Sequence, residues 1–256
     1  MAVVTDDLGR EVRISGDVRR VVSIVPSLTE SVAATAPGLL VGATDWCTHP
    51  SDLDVVRVKG TKNPDVDAIV ALRPDLVLAN EEENRSPDLD ALRDRGVAVY
   101  VTDIRTVEDA LGSLQRMLAA CGLDEPAWLR DAVRIWSEVG TIWPEGTRRR
   151  AVVPIWRRPW MAVGRDTFTG DVLRRLGVDN VLEDDDERYP KVDLETLTAH
   201  DLVVLPDEPY RFTADDGPEA FGDKPCALVD GRMLTWYGPS LVDAPRVLAE
   251  QLLAAR

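Results

Sequence analysis

Histidine and cysteine are scarce in this chain, which has two histidines and three cysteines among 256 residues. A hydrolytic or redox metal site usually gathers several such ligands, so the sequence predicts no resident metal or cofactor. The cysteines, Cys47, Cys121 and Cys226, are odd in number and widely spaced, which predicts no disulfide framework. Cys47 and His49 form a lone Cys-x-His, and we interpret it as an ordinary loop.

Long hydrophobic runs and the common catalytic motifs are also missing. No stretch reaches the roughly 18 apolar residues of a membrane-spanning helix, so we expect a protein that is not membrane-embedded. The polar N-terminus lacks the basic start and apolar core of a signal peptide, which indicates a cytoplasmic protein or a leader already removed. There is no GxGxxG after a strand, no GxxxxGK, no GxSxG and no HExxH. These absences favour binding over catalysis.

Basic residues are fewer than acidic ones. The chain has 30 lysines and arginines against 45 aspartates and glutamates, a net charge of -15. A nucleic-acid-binding protein needs a basic face, so we expect no nucleic-acid partner. The same charge disfavours an anionic membrane surface. We expect a monomer that binds a small molecule.

One sequence pattern occurs twice in the chain. The residues from Pro64 to Val77 return 126 positions later between Pro190 and Val203, with matching Pro, Val, Asp and Asp-Leu-Val positions. Each copy predicts a short helix followed by a buried strand. The repeat therefore predicts two α/β lobes of similar build, and ligands commonly bind in clefts between domains.

Strands and helices alternate along both halves, which predicts mainly parallel sheets with helices on their faces. The predicted strands are 20–25, 39–43, 76–79, 98–102, 151–155, 202–205 and 227–229. The predicted helices are 27–36, 65–72, 89–96, 106–121, 126–143, 169–176, 194–199 and 241–254. Ser27 and Glu30 have the spacing of a capping box at the start of the first helix.

The predicted helix 126–143 lies between the two copies of the repeat and can connect the lobes. Eighteen residues would span about 27 Å, roughly the width of a small lobe. We therefore divide the chain into an N-terminal α/β lobe at 1–105, a connecting helical segment at 106–146 and a C-terminal α/β lobe at 147–256.

Aromatic and polar side chains are concentrated in loops beside the predicted strands. Ligands of open α/β sheets bind beyond the carboxyl ends of the strands, and tryptophans there offer a large, rigid contact area. Asn80 and Glu81 directly follow a strand, and Arg157 or Arg158 can hold a carboxylate, amide or phosphate. The aromatic candidates for ligand binding are Trp46, Trp156, Trp160, Tyr189, Tyr210, Trp236 and Tyr237.

The order of these segments resembles the cobalamin and iron-siderophore branch of ABC-importer substrate-binding proteins. The likeness is strongest to cobalamin-binding proteins of the helical-backbone metal receptor type. It is carried by Arg20–Glu30, residues 66–78, Pro159–Gly164 and Tyr189–Val192. The resemblance implies an α/β fold of the class III periplasmic-binding-protein type, with two Rossmann-like lobes bridged by a single long helix.

The resemblance also implies roles for particular residues. Those that match its pocket positions are Trp46, Thr61 and Asn80 in the first lobe and Trp160, Tyr189, Trp236 and Tyr237 in the second. Asp67 and Glu195 match acidic positions that dock on arginines of a membrane permease, so the resemblance implies an ABC permease as partner.

The leading hypothesis is a substrate-binding protein of an ABC-type importer that binds cobalamin or a related corrinoid between the lobes, without chemistry. A second hypothesis is a ferric siderophore, whose anionic chelate Arg85, Arg157 and Arg158 could neutralise. Haem is a further alternative, for which His49 is nearly the only imidazole. A third hypothesis, from another class, is a cytoplasmic chelatase or another tetrapyrrole- or corrinoid-processing enzyme.

Overall fold

A computed structural model describes residues 2–144, 147–197 and 199–255. The chain forms two compact units. The first comprises Met1–Ile104, Glu108–Arg130 and Tyr237–Pro239, and the second comprises Arg105–Val107, Asp131–Trp236 and Ser240–Arg256. Of the predicted connecting segment 106–146, residues 108–130 fall in the first unit and the other described residues in the second, and the three-part division stays a prediction.

The first unit contains a five-stranded parallel sheet and an N-terminal β-hairpin. Its elements are β1 (Ala2–Thr5), β2 (Glu11–Ile14), β3 (Val21–Ser23), α1 (Pro26–Thr35), β4 (Leu40–Ala43), β5 (Val56–Arg57), β6 (Lys59–Gly60), β7 (Asn63–Pro64), α2 (Val66–Ala71), β8 (Leu76–Asn80), α3 (Ser86–Asp94), β9 (Val99–Thr102) and α4 (Val107–Ala120). The strand order in the sheet is β5-β4-β3-β8-β9.

The core of this unit lies where α2 and α3 cover one face of the sheet. Val22 of β3, Val77 of β8 and Val101 of β9 pack with Ile69 of α2 and Leu92 of α3. Every residue of β3, β8 and β9 is buried, which is typical of parallel strands covered on both faces. Their near-continuous apolar sequence is the reason that these strands could be predicted.

Helix α4 packs with the first unit through a polar contact as well as its apolar face. Arg116 donates to Asp7 at 2.6 Å between Nη2 and Oδ1, and the hydroxyl of Ser113 donates to the same carboxylate. Asp7 lies in the turn between β1 and β2, so the helix and the N-terminal hairpin are held together.

The second unit contains a four-stranded parallel sheet. Its elements are β10 (Arg149–Val152), β11 (Pro154–Arg157), β12 (Trp160–Ala162), α6 (Phe168–Arg175), β13 (Val178–Asn180), β14 (Leu202–Pro206), β15 (Cys226–Val229), α7 (Gly231–Thr235) and α8 (Ala244–Leu253). The sheet order is β13-β10-β14-β15, and β11 and β12 form an antiparallel hairpin. The predicted mainly parallel sheets are confirmed in both units.

Helix α5 (Ala127–Glu138) is shorter than the predicted helix 126–143. Its last backbone bond joins the N–H of Val139 to the carbonyl of Ile135, and Gly140 follows in a non-helical conformation. Glycine is a poor helix former, which explains the early end. Twelve residues rise about 18 Å instead of the expected 27 Å. The division between the units, after Arg130, falls within this helix.

The two copies of the repeat differ in their helical part. In the first copy Asp65 caps α2, because its carboxylate accepts the N–H of Ala68 at 3.0 Å. The matching position in the second copy is Lys191, whose ammonium group cannot accept a hydrogen bond. The predicted helix 194–199 is therefore wrong: the described part forms turns, with the N–H of Leu197 bonded to the carbonyl of Leu194.

Three smaller features also differ from the prediction. Helix α1 begins at Pro26 without a side-chain cap, and Ser27 lies inside the helix rather than at its cap. Proline suits this position because the first helical N–H has no partner within the helix. The last helix begins only at Ala244, after a short 3-10 turn. The periodicity gave no indication of hairpin β1–β2 or of strands β12 and β13.

Replacement of the buried Leu92 should destabilise the protein far more than the same replacement at an exposed leucine. Leu92 is fully buried, whereas Leu253 at the end of α8 is 56% exposed. Leu92→Ala should lower the free energy of unfolding by about 2–5 kcal/mol through lost contacts and a cavity. Leu253→Ala should change it by less than about 0.5 kcal/mol. Urea unfolding followed by circular dichroism measures both, and equal losses would contradict the packing described for α3.

Candidate functional site

Three segments meet at the carboxyl end of the first sheet: the loop after β4, the β6–β7 hairpin and the loop after β8. We call them the first rim. The N–H of Asp45 donates to the carbonyl of Lys59 at 2.8 Å. The side-chain amide of Asn84 donates to the carbonyls of Thr61 at 3.0 Å and Ile24 at 3.2 Å. These bonds hold the three segments in one arrangement.

Trp46 is an exposed large hydrophobic side chain of the first rim. Its relative exposure is 66%, although tryptophan is among the most buried residues on average. The ring nitrogen lies 3.4 Å from the point where a Cβ atom on Gly60 would stand, so the indole lies beside the β6–β7 hairpin. This placement agrees with the expectation that Trp46 presents its ring to a ligand, which stays a prediction.

Asn80 has a different role from the predicted ligand contact. Its side chain is buried, and its amide nitrogen donates to the carbonyl and hydroxyl of Thr102 at 3.0 and 3.1 Å. Its amide oxygen accepts the N–H groups of Glu82 at 3.0 Å and Glu83 at 3.2 Å. An asparagine amide has two donors and two acceptor positions, and all four are used. Asn80 therefore shapes the loop that presents its neighbours.

The loop after β8 gives the first rim an acidic character. Glu81 is exposed, and Glu82 and Glu83 are half-buried beside it. Burial raises the pKa of Glu83, Lys62 opposes this effect and Glu82 adds to it. The ammonium group of Lys62 donates to the backbone carbonyl of Glu82. Thr61, the other predicted contact here, is half-buried in the hairpin turn and offers its carbonyl to the loop.

The second unit contains a group of five rings, which we call the aromatic cluster: Trp156, Tyr210, Phe212, Trp160 and Phe221. Trp156 meets Tyr210 edge-on at 5.7 Å between ring centroids, and Tyr210 is tilted against Phe212 at 4.7 Å. Trp160 is stacked on Phe212 at 6.0 Å and meets Phe221 edge-on at 5.5 Å. Trp156 is 44% exposed and forms the outer end of the cluster.

This cluster follows the carboxyl ends of two parallel strands. Trp156 and Trp160 belong to the β11–β12 hairpin, which comes directly after β10, and Tyr210 and Phe212 come after β14. The predicted residues Trp156, Trp160 and Tyr210 are therefore brought together. Phe221 comes from the turn-rich stretch before β15, and no sequence pattern indicated that it would join them.

Arg157 is held inside this surface rather than presented to solvent. Its guanidinium forms ion pairs with Asp216 and Glu219 and lies 5.3 Å from the ring centroid of Trp160. Only 17% of its side chain is exposed. The guanidinium of Arg157 is thus already paired with two carboxylates of the protein, and its contact with a ligand stays a prediction. Arg158, its neighbour in the hairpin turn, is exposed.

The remaining aromatic candidates are covered to different degrees. Tyr189 is half-buried, with the guanidinium of Arg188 at 5.9 Å from its ring. Trp236 is buried and donates its ring N–H to Glu208 at 3.0 Å, which is a packing role. Tyr237 is also buried. The resemblance implied a place in the second lobe, whereas the structure groups Tyr237 with the first unit.

The two acidic residues predicted to dock on a permease are both at the surface. Asp67 lies in the first turn of α2 and forms an ion pair with Arg95, in which the aspartate side chain is 84% exposed. Exposed ion pairs contribute little to stability, so this contact leaves Asp67 available to another cation. Glu195 is exposed in the turn that replaces the predicted helix. The docking role stays a prediction.

Among the described residues, no three His, Cys, Asp or Glu side chains are grouped as metal ligands. The sulfur of Cys47 lies 3.0 Å from the hydroxyl of Thr29 and 3.2 Å from that of Thr44, and burial raises the pKa of its thiol. Nδ1 of His49 lies 3.1 Å from the hydroxyl of Thr48. The Cys-x-His segment is therefore a packed loop. Within the described ranges no helix has the length and apolarity to cross a bilayer.

A polar cavity of about 380 Å³ lies in the second unit, beyond β13. Its walls include Asn180 and Asp171. The amide of Asn180 donates to the carbonyls of Val163 and Gly164 at 2.9 and 3.0 Å, and Asp171 accepts the N–H of Val107 at 2.9 Å. Asn180 and Asp171 therefore make these hydrogen bonds within the protein.

Comparison with known proteins identifies the family. The profile of a family described as Periplasmic binding protein matches residues 21–205. The match covers more than half of the chain, so the chain belongs to the periplasmic binding protein family. The resemblance drawn from the sequence, including its substrate-binding character, is confirmed.

Two relatives align with most of the chain. The ABC transporter substrate-binding lipoprotein YvrC of Bacillus subtilis is 26% identical, over 97% of this chain and 84% of that protein. A vitamin B12-binding protein of Vibrio parahaemolyticus is 25% identical, over 78% of this chain and 74% of that protein.

Two solved structures show the same fold. The periplasmic haem-binding protein BhuT, in complex with two haems, has a TM-score of 0.77 at 24% identity, over 93% of this chain and 98% of that chain. The periplasmic vitamin B12-binding protein BtuF of Vibrio cholerae has a TM-score of 0.71 at 18% identity, over 92% and 97%. The predicted fold class, an α/β protein of the class III periplasmic-binding-protein type, is confirmed.

Replacement of Asn80 should affect stability rather than direct ligand contact. Asn80→Ala removes one of the two hydrogen bonds to the carbonyl of Thr102 and leaves the N–H groups of Glu82 and Glu83 without their acceptor, which should cost about 1–3 kcal/mol of unfolding free energy. Glu81→Gln, on the exposed neighbour, should change stability by less than about 0.5 kcal/mol. Urea unfolding measures both. An unchanged stability in Asn80→Ala would contradict the assigned role.

The three thiols should differ in reactivity according to their burial. Burial raises the pKa of all three thiols, that of Cys121 to about 12, so access to the reagent separates them: Cys47 and Cys121 are buried and Cys226 is half-exposed. A disulfide reagent such as dithionitrobenzoate should react in the native protein only with the half-exposed Cys226, and with all three thiols in urea. Cys226→Ser should abolish the native reaction. A fast reaction at Cys47 would contradict the packed loop.

Proposed function

We propose that this protein is the substrate-binding component of an ABC-type importer and that its ligand is a corrinoid such as vitamin B12, bound without chemical change. One observation carries the proposal: each unit presents an exposed tryptophan beyond the carboxyl ends of its parallel strands. Trp46 lies on the first rim, and Trp156 lies at the outer end of the aromatic cluster. Ligands of open α/β sheets bind at this end.

The chemistry of these surfaces suits a bulky ligand with apolar faces. Tryptophan and tyrosine rings provide large contact areas at a small cost in conformational entropy. The rings beneath Trp156 support it, because Tyr210 and Phe212 continue the contact inward. The names of the relatives support the same proposal, since one is an ABC transporter substrate-binding lipoprotein and another a vitamin B12-binding protein.

The described residues also support binding rather than catalysis. They include no three His, Cys, Asp or Glu side chains grouped as metal ligands. His200 is buried against the ring of Phe221 at 6.4 Å, and His49 lies beside Thr48 in its loop. We therefore infer that the protein is not an enzyme.

The same proposal includes a permease as partner. Asp67 and Glu195 are the residues that we assign to it, because both carboxylates are exposed at the start of the two repeated segments. A carboxylate at the surface can pair with an arginine of the permease through two hydrogen bonds. The ion pair of Asp67 with Arg95 would then be exchanged for an equivalent one.

Calorimetric titration with cyanocobalamin tests the proposal. We expect a dissociation constant of about 1 μM or lower, equivalent to about 8 kcal/mol of binding free energy. Trp46→Ala and Trp156→Ala should each weaken binding at least about tenfold, because each removes a ring from the contact. Trp128→Ala is the matched control, since this half-buried tryptophan of α5 belongs to neither surface, and it should leave the affinity unchanged.

The outcomes separate the ligand from the class of protein. If haemin binds and cyanocobalamin does not, the proposal that the ligand is a corrinoid is contradicted, and the protein remains a candidate binder of another metal chelate. Cyanocobalamin binding that survives both tryptophan replacements would contradict the assigned surfaces.

A further inference from the structure

The charge of Arg157 is more than balanced by its neighbours. Its guanidinium pairs with Asp216 and with Glu219, and we call these three residues the Arg157 cluster. These three side chains together carry one positive and two negative charges, a net charge of -1 within the Arg157 cluster. Arg157 also lies over the ring of Trp160, at 5.3 Å from its centroid, so its position is set from three sides.

The loop after β14 is built to bring both carboxylates to Arg157. Asp216 and Thr213 form a tight turn through two backbone hydrogen bonds of 3.0 and 3.3 Å. The hydroxyl of Tyr210 donates to Asp216 at 2.6 Å. The backbone N–H of Gly217 donates to Glu219, also at 2.6 Å. Each carboxylate is thus oriented by a donor other than Arg157.

Gly217 is required for this turn. Its φ angle of +130° is one that side-chain-bearing residues rarely adopt, and a Cβ atom there would stand 2.6 Å from the ring of Phe212. The turn therefore packs directly on the aromatic cluster. The N–H of Gly217, and after it Arg157, lower the pKa of Glu219, so this carboxylate stays ionised at neutral pH.

The first rim is also poor in available positive charge. Arg85 was a candidate for neutralising an anionic ligand, but two of its nitrogens donate to Asp88 at 2.9 and 3.3 Å. Three consecutive glutamates, residues 81–83, follow β8. Two of the three arginines that favoured an anionic chelate are therefore paired with carboxylates of the protein.

We propose that the Arg157 cluster determines ligand charge: it admits neutral or cationic chelates to the aromatic surface and rejects anionic ones. The inference rests on the proposed function and narrows its ligand class. An anionic ligand would have to displace two carboxylates that the protein holds in place, and it would meet the remaining negative charge at short range. Specificity of this kind arises from a repulsive contact with the wrong ligand.

The test uses two corrinoids that differ by one charge. Cyanocobalamin is neutral, and its monocarboxylic acid derivative replaces one side-chain amide by a carboxylate of nearly equal size. The wild-type protein should bind the neutral form at least about fivefold more tightly at pH 7.5 and low salt. The double variant Asp216→Asn, Glu219→Gln removes the negative charges and frees Arg157, so this preference should fall by at least about threefold.

A matched control uses a second arginine between an aspartate and a glutamate. Arg246 of α8 lies 3.6 Å from Asp243 and 3.1 Å from Glu250, and all three side chains are exposed. Asp243→Asn with Glu250→Gln changes the net charge by the same amount away from the aromatic cluster. The wild-type preference should persist in this control. A preference that falls equally in both double variants would contradict a local effect.

A second pair of probes keeps this inference separate from the corrinoid. Anilinonaphthalene sulfonate is anionic, and N-phenylnaphthylamine is its neutral counterpart. For each dye, the binding that Trp156→Ala removes reports on the aromatic cluster. We expect the neutral dye to bind this surface more tightly than the anionic dye in the wild type. The difference between their two affinities should become smaller in the double variant Asp216→Asn, Glu219→Gln.

If neither corrinoid binds but the dyes show the expected preference for the neutral member, the proposed ligand is contradicted and the charge selection stands. Tight corrinoid binding with no preference between the neutral and acid forms would overturn the charge selection alone. A wild-type protein that prefers the anionic member of either pair, or that shows no binding dependent on Trp156, would overturn it as well.

Discussion

In each unit, a buried asparagine at the carboxyl end of a parallel strand holds the loops around it. Asn80 ends β8 and bonds to Thr102 and to two N–H groups of the following loop. Asn180 ends β13 and bonds to the carbonyls of Val163 and Gly164, while its oxygen accepts the N–H of Leu182. A buried amide with all its partners present is costly to disturb, because removal of one partner leaves polar groups unsatisfied. The loops that carry the candidate site therefore start from fixed points.

The two units use these fixed loops differently. In the first, the loops expose one tryptophan beside a run of glutamates, and the buried side chain of Asn84 makes hydrogen bonds that hold the rim together. In the second, two loops combine five rings, and Arg157 among them is paired with Asp216 and Glu219, while Arg158 in the hairpin turn is exposed. Both surfaces thus offer aromatic area, and the arginine held within the aromatic surface is already paired, which favours a neutral, partly flat ligand.

The fold alone does not select that ligand. Proteins named for vitamin B12 and for haem share this architecture at 18–24% identity, and a shared fold permits many sites. The choice must therefore lie in the loop side chains. In this chain Arg85 and Arg157 are both paired with carboxylates of the protein. An arginine that is already paired attracts an anionic ligand weakly, so the pairing says more about the ligand than the presence of the two arginines does.

The amino-acid sequence was enough to predict the α/β class, the parallel sheets and most strand positions, because these depend on periodicity and on apolar runs that neighbouring residues specify. The family followed from the resemblance of particular segments. The sequence also indicated Trp46, Trp156, Trp160 and Tyr210 from their places after strands. Folding, by contrast, determined that Asn80 and Trp236 are buried, that Lys191 leaves the second repeat without a helix cap, and that Arg157 is paired. Glu219, a partner of Arg157, and Thr102, a partner of Asn80, lie 62 and 22 residues away along the chain, and no local pattern specifies which side chain folding will bring to them.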